Sequence, residues 1–258
     1  MTSPIFIPHG GGPLPLLNDP RHQTLISFLQ QLPTTLEKPS AIVVISAHWE
    51  ESTFAITSHP NPALLYDYSG FPKESYEITY PVSGHPVLAQ QIEQLLRQAN
   101  LPTSQTTSRK LDHGVFVPLK LMYPSADIPV VQVSLHRSLD PSLHIRLGEA
   151  LKGLDDSILL LGSGFSYHNL RAFFSPDPRH REANVAFHQW LRQVCTQMSR
   201  SEMLEHLRQW TIAPSSQLCH PRSEHLLPLM VCAGAGRGVA KSIFDGVIFG
   251  KQSLGLQW

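Results

Sequence analysis

The chain has 258 residues, with 20 basic and 20 acidic side chains, so it carries no formal net charge. This balance excludes a basic nucleic-acid footprint and an acidic tail seeking a basic partner. The start, MTSPIFIPHGGG, lacks a charged region followed by a long apolar core, and no apolar run is long enough to span a bilayer. Cys195, Cys219 and Cys232 are odd in number and show no CxxC spacing, which fits free thiols better than a disulfide framework. The expectation is one soluble cytoplasmic domain over residues 1–258, because no linker, charge block or repeat divides the chain.

In chain order, apolar runs bounded by turn residues predict strands over 4–8, 41–47, 52–57, 128–135 and 157–164. Helical spacing predicts a helix over 86–99, with Leu88, Ile92, Leu95 and Leu96 on one face. A second is predicted over 141–154, where Asp140 stands as the N-cap and Pro141 at the first helical position. Further helices are predicted over 180–198, 201–210 and 223–236, the last tolerating Pro228 only near its start. One or two closing strands are predicted within 241–258. Strands alternating with helices predict an α/β fold, a single domain with a mostly parallel or mixed central sheet covered by helices on both faces. In such sheets ligands bind beyond the carboxyl ends of the strands.

Histidine is frequent, at 14 residues, and it is the commonest metal ligand. His9, His48 and His168 each fall just past a predicted strand, and His113 is expected in a loop. His220 and His225 fall at or just before the last predicted helix. The other eight (His22, His59, His85, His136, His144, His180, His188 and His206) are expected mostly in polar loops or on helix faces. A lone histidine at a strand end reads as a hydrogen-bonded loop residue. Several at one sheet edge read as a cluster in which a divalent cation binds the neutral rings. Gly10, Gly11 and Gly12 read either as a permissive turn or as backbone kept clear of a ligand. They lack the phosphate-loop and dinucleotide patterns, and no GxSxG elbow surrounds Ser46, Ser163 or Ser166.

The segments PHGGGP, SAHWE, YDYSGFP, DHGVFVPL, GSGFSYHNL and HPRSEHLLPL stand in this order across nearly the whole chain. Together they resemble the DOPA 4,5-dioxygenase-like branch of the class III extradiol ring-cleavage dioxygenases. HGGGP departs mildly from the HGSP usual in the first motif. The resemblance implies an enzyme that opens a catechol, DOPA or a related phenolic, with O2 to a muconic semialdehyde-type product. It implies His9, His48 and His225 as metal ligands, with Glu224 the alternative to His225, since other branches use a glutamate. It implies His168 as acid/base catalyst or further ligand, and His113 as a contact to substrate or dioxygen. Tyr66, Asp67, Tyr68 and Phe71 are candidate pocket residues. Fe(II) is the expected catalytic ion and Zn(II) the other ion the site would bind. Zinc would support a hydrolase on the same scaffold instead; a non-catalytic metal-binding partner protein is the third reading. The expected partners are a small catechol and O2, without nucleic acid or membrane, in a monomer or small homo-oligomer.

Overall fold

The computed structural model describes residues 3–258. Among the described residues eight strands run in chain order: β1 (Ile5–Pro8), β2 (Ala41–Glu51), β3 (Phe54–Thr57), β4 (Thr103–Thr106), β5 (Val130–His136), β6 (Ile158–Gly164), β7 (Lys241–Ile248) and β8 (Lys251–Gln257). They form one mixed sheet in the order β4-β3-β5-β2-β6-β1-β8-β7. The centre is parallel, β6 lying between β1 and β2, while β8 returns antiparallel along β1 and β7 along β8. Helices cover both faces, which is why β6 is buried along its whole length and reads as an unbroken apolar run.

The helices are α1 (Gln23–Gln31), α2 (Pro86–Gln98), α3 (His113–Met122), α4 (Pro141–Leu151), α5 (Leu170–Phe173), α6 (Pro178–Gln197), α7 (Arg200–Arg208), α8 (Ser216–Cys219) and α9 (Leu227–Ala235). Among the described residues no helix is long and apolar enough to cross a membrane. The predicted face of α2 is buried, through Leu88, Ala89, Ile92 and Leu96. Asp140 caps α4 as expected, its carboxylate accepting the Ser142 N–H at 2.8 Å. The last predicted helix begins four residues later than its spacing suggested, so Pro228 falls at its second position, where no helical hydrogen bond is lost.

Several expectations are corrected. β2 runs on to Glu51, so His48 lies inside a strand rather than after one; a register shift against β5 between Ile45 and Glu50 accommodates this. His113 opens α3 instead of sitting in a loop. That helix carries two valines and Pro118 and is buried almost throughout, so it lacks the amphipathic period by which a helix is recognised. Among the eight remaining histidines, His144 in α4 and His188 in α6 lie on helices as expected, but on buried faces, and His22, just before α1, is fully buried. His144 fits because its Nδ1 bonds the Asp140 carbonyl at 2.7 Å and its Nε2 accepts the His136 N–H at 3.1 Å.

Candidate active site

Sheet register brings the site together. Pro8 pairs with Gly164 and Ser46 with Ser163, so the carboxyl ends of β1, β2 and β6 lie side by side. His9 leaves β1 with its N–H on the Gly164 carbonyl at 3.2 Å. His225 enters from the segment before α9, where its carbonyl accepts the Phe165 N–H at 2.9 Å. One ring nitrogen from each of His9, His48 and His225 falls within a group whose members all lie within 4.8 Å of one another. The Nε2 atoms of His9 and His48 are 3.1 Å apart.

A relay of hydrogen bonds sets the tautomer of His9. Pro118 has no N–H, so it leaves the Gly114 carbonyl, four residues earlier in α3, without its helical donor. The Ser163 hydroxyl donates to that carbonyl. Its proton being engaged there, Ser163 Oγ accepts from His9 Nδ1–H at 3.0 Å, and His9 Nε2 is left with a lone pair. His225 is set in the same way, its Nδ1–H donating to Glu224 Oε1 at 2.9 Å. Burial, and then the neighbouring imidazoles His48 and His168 respectively, hold His9 and His225 well below the usual histidine range. His48 is lowered by burial and by His113, against the opposing pull of Asp67. Neutral rings presenting fixed lone pairs are what a divalent ion requires of imidazole ligands, and a carboxylate or carbonyl chain behind each ring is the usual support. The donor set therefore fits a metal.

Two further imidazoles flank this group. His113 is held by Asp67, whose Oδ1 lies 2.8 Å from its Nδ1, and the ring centres of His113 and His48 are 3.9 Å apart. His168 stacks on His225 with ring centres 3.4 Å apart, and its Nδ1 lies 3.2 Å from Glu224 Oε1. Glu224 thus serves both rings. Burial would raise its carboxyl, but His168 and Arg222 hold it below the ordinary value. Asp67 behaves likewise, burial being outweighed above all by the bonds from His113.

These five histidines line one cavity of about 760 Å³. Tyr68 and Phe71 also lie on its wall, whereas Tyr66 does not. The Tyr66 ring packs on Phe116 and its hydroxyl donates to the Ile78 carbonyl at 2.6 Å. Asp67 stands behind His113 rather than on the wall. His220 is apart from the cluster, buried between the Phe187 and Trp210 rings.

The sequence reading missed the supports. Asp112 is fully buried and accepts from Ser46 Oγ (2.6 Å), Arg109 Nη2 (2.9 Å) and Gln132 Nε2 (2.5 Å), tying α3 to β2 and β5. Arg109 also reaches the His48 carbonyl at 3.0 Å. A carboxylate immediately before His113 was the available signal. Arg222 grips Glu50 through two bonds, of 2.6 and 2.5 Å, at the cavity wall, and nothing in the local sequence joins residues so far apart.

Comparison with known proteins identifies the family. Residues 5–252 match the family described as the catalytic LigB subunit of aromatic ring-opening dioxygenase. The chain is 40% identical over 250 residues to the dioxygenase tasH of Hapsidospora irregularis, covering 90% of this chain and 77% of that protein. It is 37% identical over 234 residues to a 4,5-DOPA dioxygenase extradiol of Beta vulgaris, covering 89% and 85%. A crystal structure of an uncharacterized protein from Escherichia coli K12 superposes with a TM-score of 0.77 at 30% identity, covering 100% of this chain and 99% of that one. With the match running from β1 into β8, and so across every strand end that carries a clustered histidine, the chain belongs to the LigB family of aromatic ring-opening dioxygenases.

Proposed function

We propose that this protein is an Fe(II)-dependent extradiol dioxygenase that opens a catechol beside its diol. The observation that carries the reading is the grouping of His9, His48 and His225 at the floor of a cavity, with His113 and His168 on either side. His9, His48 and His225 would hold the ion through ring nitrogens. Glu224 is already engaged by the rings of His225 and His168, which favours His225 over Glu224 as third ligand. When bound, Fe(II) supplies the redox activation of dioxygen that no side chain can provide.

The chain's own groups do the rest. His168, with Nδ1 on Glu224, has Nε2 free to take the proton of a catechol hydroxyl, and the carboxylate stabilises the resulting imidazolium. His113, held at Nδ1 by Asp67 and lining the cavity, keeps the other edge of its ring for a hydrogen bond to the substrate oxygens. Apolar wall residues such as Phe71 and Phe165 exclude water from the reacting oxygens. The three buried free cysteines suit a reducing compartment, in keeping with a cytoplasmic enzyme.

Anaerobic loading with Fe(II), followed by air and a panel of catechols, tests this directly. A yellow ring-opened product is expected. Fully iron-loaded protein that turns over no catechol overturns the proposal, and zinc-restored, oxygen-independent hydrolysis would replace it with the hydrolase reading.

A further inference from the structure

The hairpin joining β7 to β8 has a two-residue turn, Phe249-Gly250, with φ of +52° and +74°. Such a turn prefers Asn-Gly or Gly-Gly, because both positions are left-handed. A bulky aromatic residue with positive φ is a steric outlier. Such strain persists where the surroundings demand it, and it points to function.

The surroundings here are the mouth of the cavity. The Phe249 ring lies on the cavity wall, edge-on to His22 at 4.5 Å between ring centres, with Phe173 at 5.7 Å and Phe174 at 5.6 Å. The Arg21 guanidinium sits 4.7 Å from its centre. On the other side it lies so close to Gly11 that a Cβ there would stand 2.6 Å from the ring. His22 Nε2 accepts the Gly11 N–H at 3.0 Å and holds that loop beneath the ring. Leu170 and Phe174 remain largely exposed at this rim, at 70% and 72%.

The guanidiniums of the wall already have carboxylate partners. Arg21 makes three bonds to Asp19, and Arg222 makes two to Glu50 while lying 3.5 Å from Glu224. A carboxylate on a substrate would find no guanidinium without a carboxylate partner, and burying one unpaired is costly; for an ammonium only Glu224 Oε2 lacks a hydrogen bond, and Arg222 already stands 3.5 Å from it. The volume, about 760 Å³, stands toward the upper end of the roughly 300–1,000 Å³ of small-molecule pockets, more than one ring fills.

Building on the ring-opening reading, we infer that the site selects catechols bearing a bulky uncharged aromatic substituent, which Phe249, Phe173 and Phe174 receive, over zwitterionic catechols such as DOPA. Phe249 is the specificity-determining residue, and the glycine loop after β1 is the gap that admits its ring.

Calorimetric titration of the iron-loaded protein under argon with 4-phenylcatechol, 4-methylcatechol and L-DOPA tests this. The phenyl compound is expected to bind at least about tenfold more tightly than L-DOPA, the scale set by burying one further ring. Phe249→Asn keeps the turn, since Asn adopts positive φ readily, and should cut the phenyl-over-methyl preference several-fold. Phe174→Ala, at an exposed position that does not endanger folding, should cut it in the same direction. Equal or tighter binding of L-DOPA overturns the inference, as does a preference that neither variant changes. Binding under argon followed by no ring opening in air would sink the dioxygenase reading and leave this one standing. Preferential opening of L-DOPA would do the reverse.

Discussion

Asp67 Oδ1 accepts two hydrogen bonds from one residue, the main-chain N–H of His113 at 3.0 Å and its ring Nδ1–H at 2.8 Å. The carboxylate therefore anchors the first turn of α3 and orients the ring that this turn carries, while its Oδ2 lies 3.8 Å from His48 Nδ1. Asp67→Asn keeps an acceptor and removes the charge. Catechol turnover is expected to fall by about 10–100-fold, the usual effect of losing a carboxylate behind a site imidazole. Steady-state kinetics on the iron-loaded variant check this, and wild-type turnover would show that the charge is idle.

Pro118 acts on His9 at a distance. Pro118→Ala restores an N–H that can donate to the Gly114 carbonyl, in competition with Ser163. Fold stability is expected to hold or rise, while metal affinity falls several-fold because the His9 tautomer is no longer enforced. Urea unfolding and chelator competition, read together, separate this from simple damage, which would lower both.

His48 is the most exposed of the three candidate ligands, with 22% of its side chain accessible. His48→Ala should abolish metal retention on dialysis while costing no more than about 1 kcal/mol of stability. If metal stoichiometry survives the substitution, the assignment of the site is wrong.

Gly164 ends β6 directly against the segment that carries His225, and a Cβ there would stand 2.2 Å from the His225 carbonyl oxygen. Backbone cannot yield as a flexible side chain does. Gly164→Ala is expected to destabilise the fold by about 3 kcal/mol and to weaken metal binding as well. Thermal melts and metal titration of the variant provide the check; an unchanged protein would mean the two segments part easily.

Acid should loosen the fold before it reaches the carboxylates. Burial pulls His144 and His220 from the ordinary 6.5 down to about 4. Between these values the unfolded chain binds protons that the folded chain refuses, so stability is complete above about pH 6.5 and is lost as pH falls toward 4. Each displacement corresponds to about 3 kcal/mol. Urea midpoints of chelator-treated protein should fall steadily across that window, and a flat profile would contradict the buried neutral rings.

Much of the sheet was legible because strand signals are local. The runs that became β1, β2, β5 and β6 are apolar, β-branched and bounded by turn residues, and burial on both faces makes such runs continuous. The segment TSQT carried no such signal; β4 is a polar strand at the sheet edge, and its pairing with β3 is what makes it a strand. α3 was hidden because burial on all sides erased its period.

The sequence alone put His9 and His168 just past strands, and its collinear motifs singled out His9, His48, His113, His168 and His225, but it misplaced His48, which lies inside β2, and His113, which opens α3. Only the tertiary structure decided that they meet, because β6 inserts between β1 and β2 and sets their carboxyl ends side by side. It also decided what stands behind them: Ser163 on His9, Asp67 on His113, Glu224 shared by His225 and His168, and Phe249 pressed over Gly11. The physical reason is that periodicity and turn chemistry are written between chain neighbours. The tautomer of a ring and the shape of a cavity are set by atoms brought close from distant parts of the chain, and no local pattern encodes them.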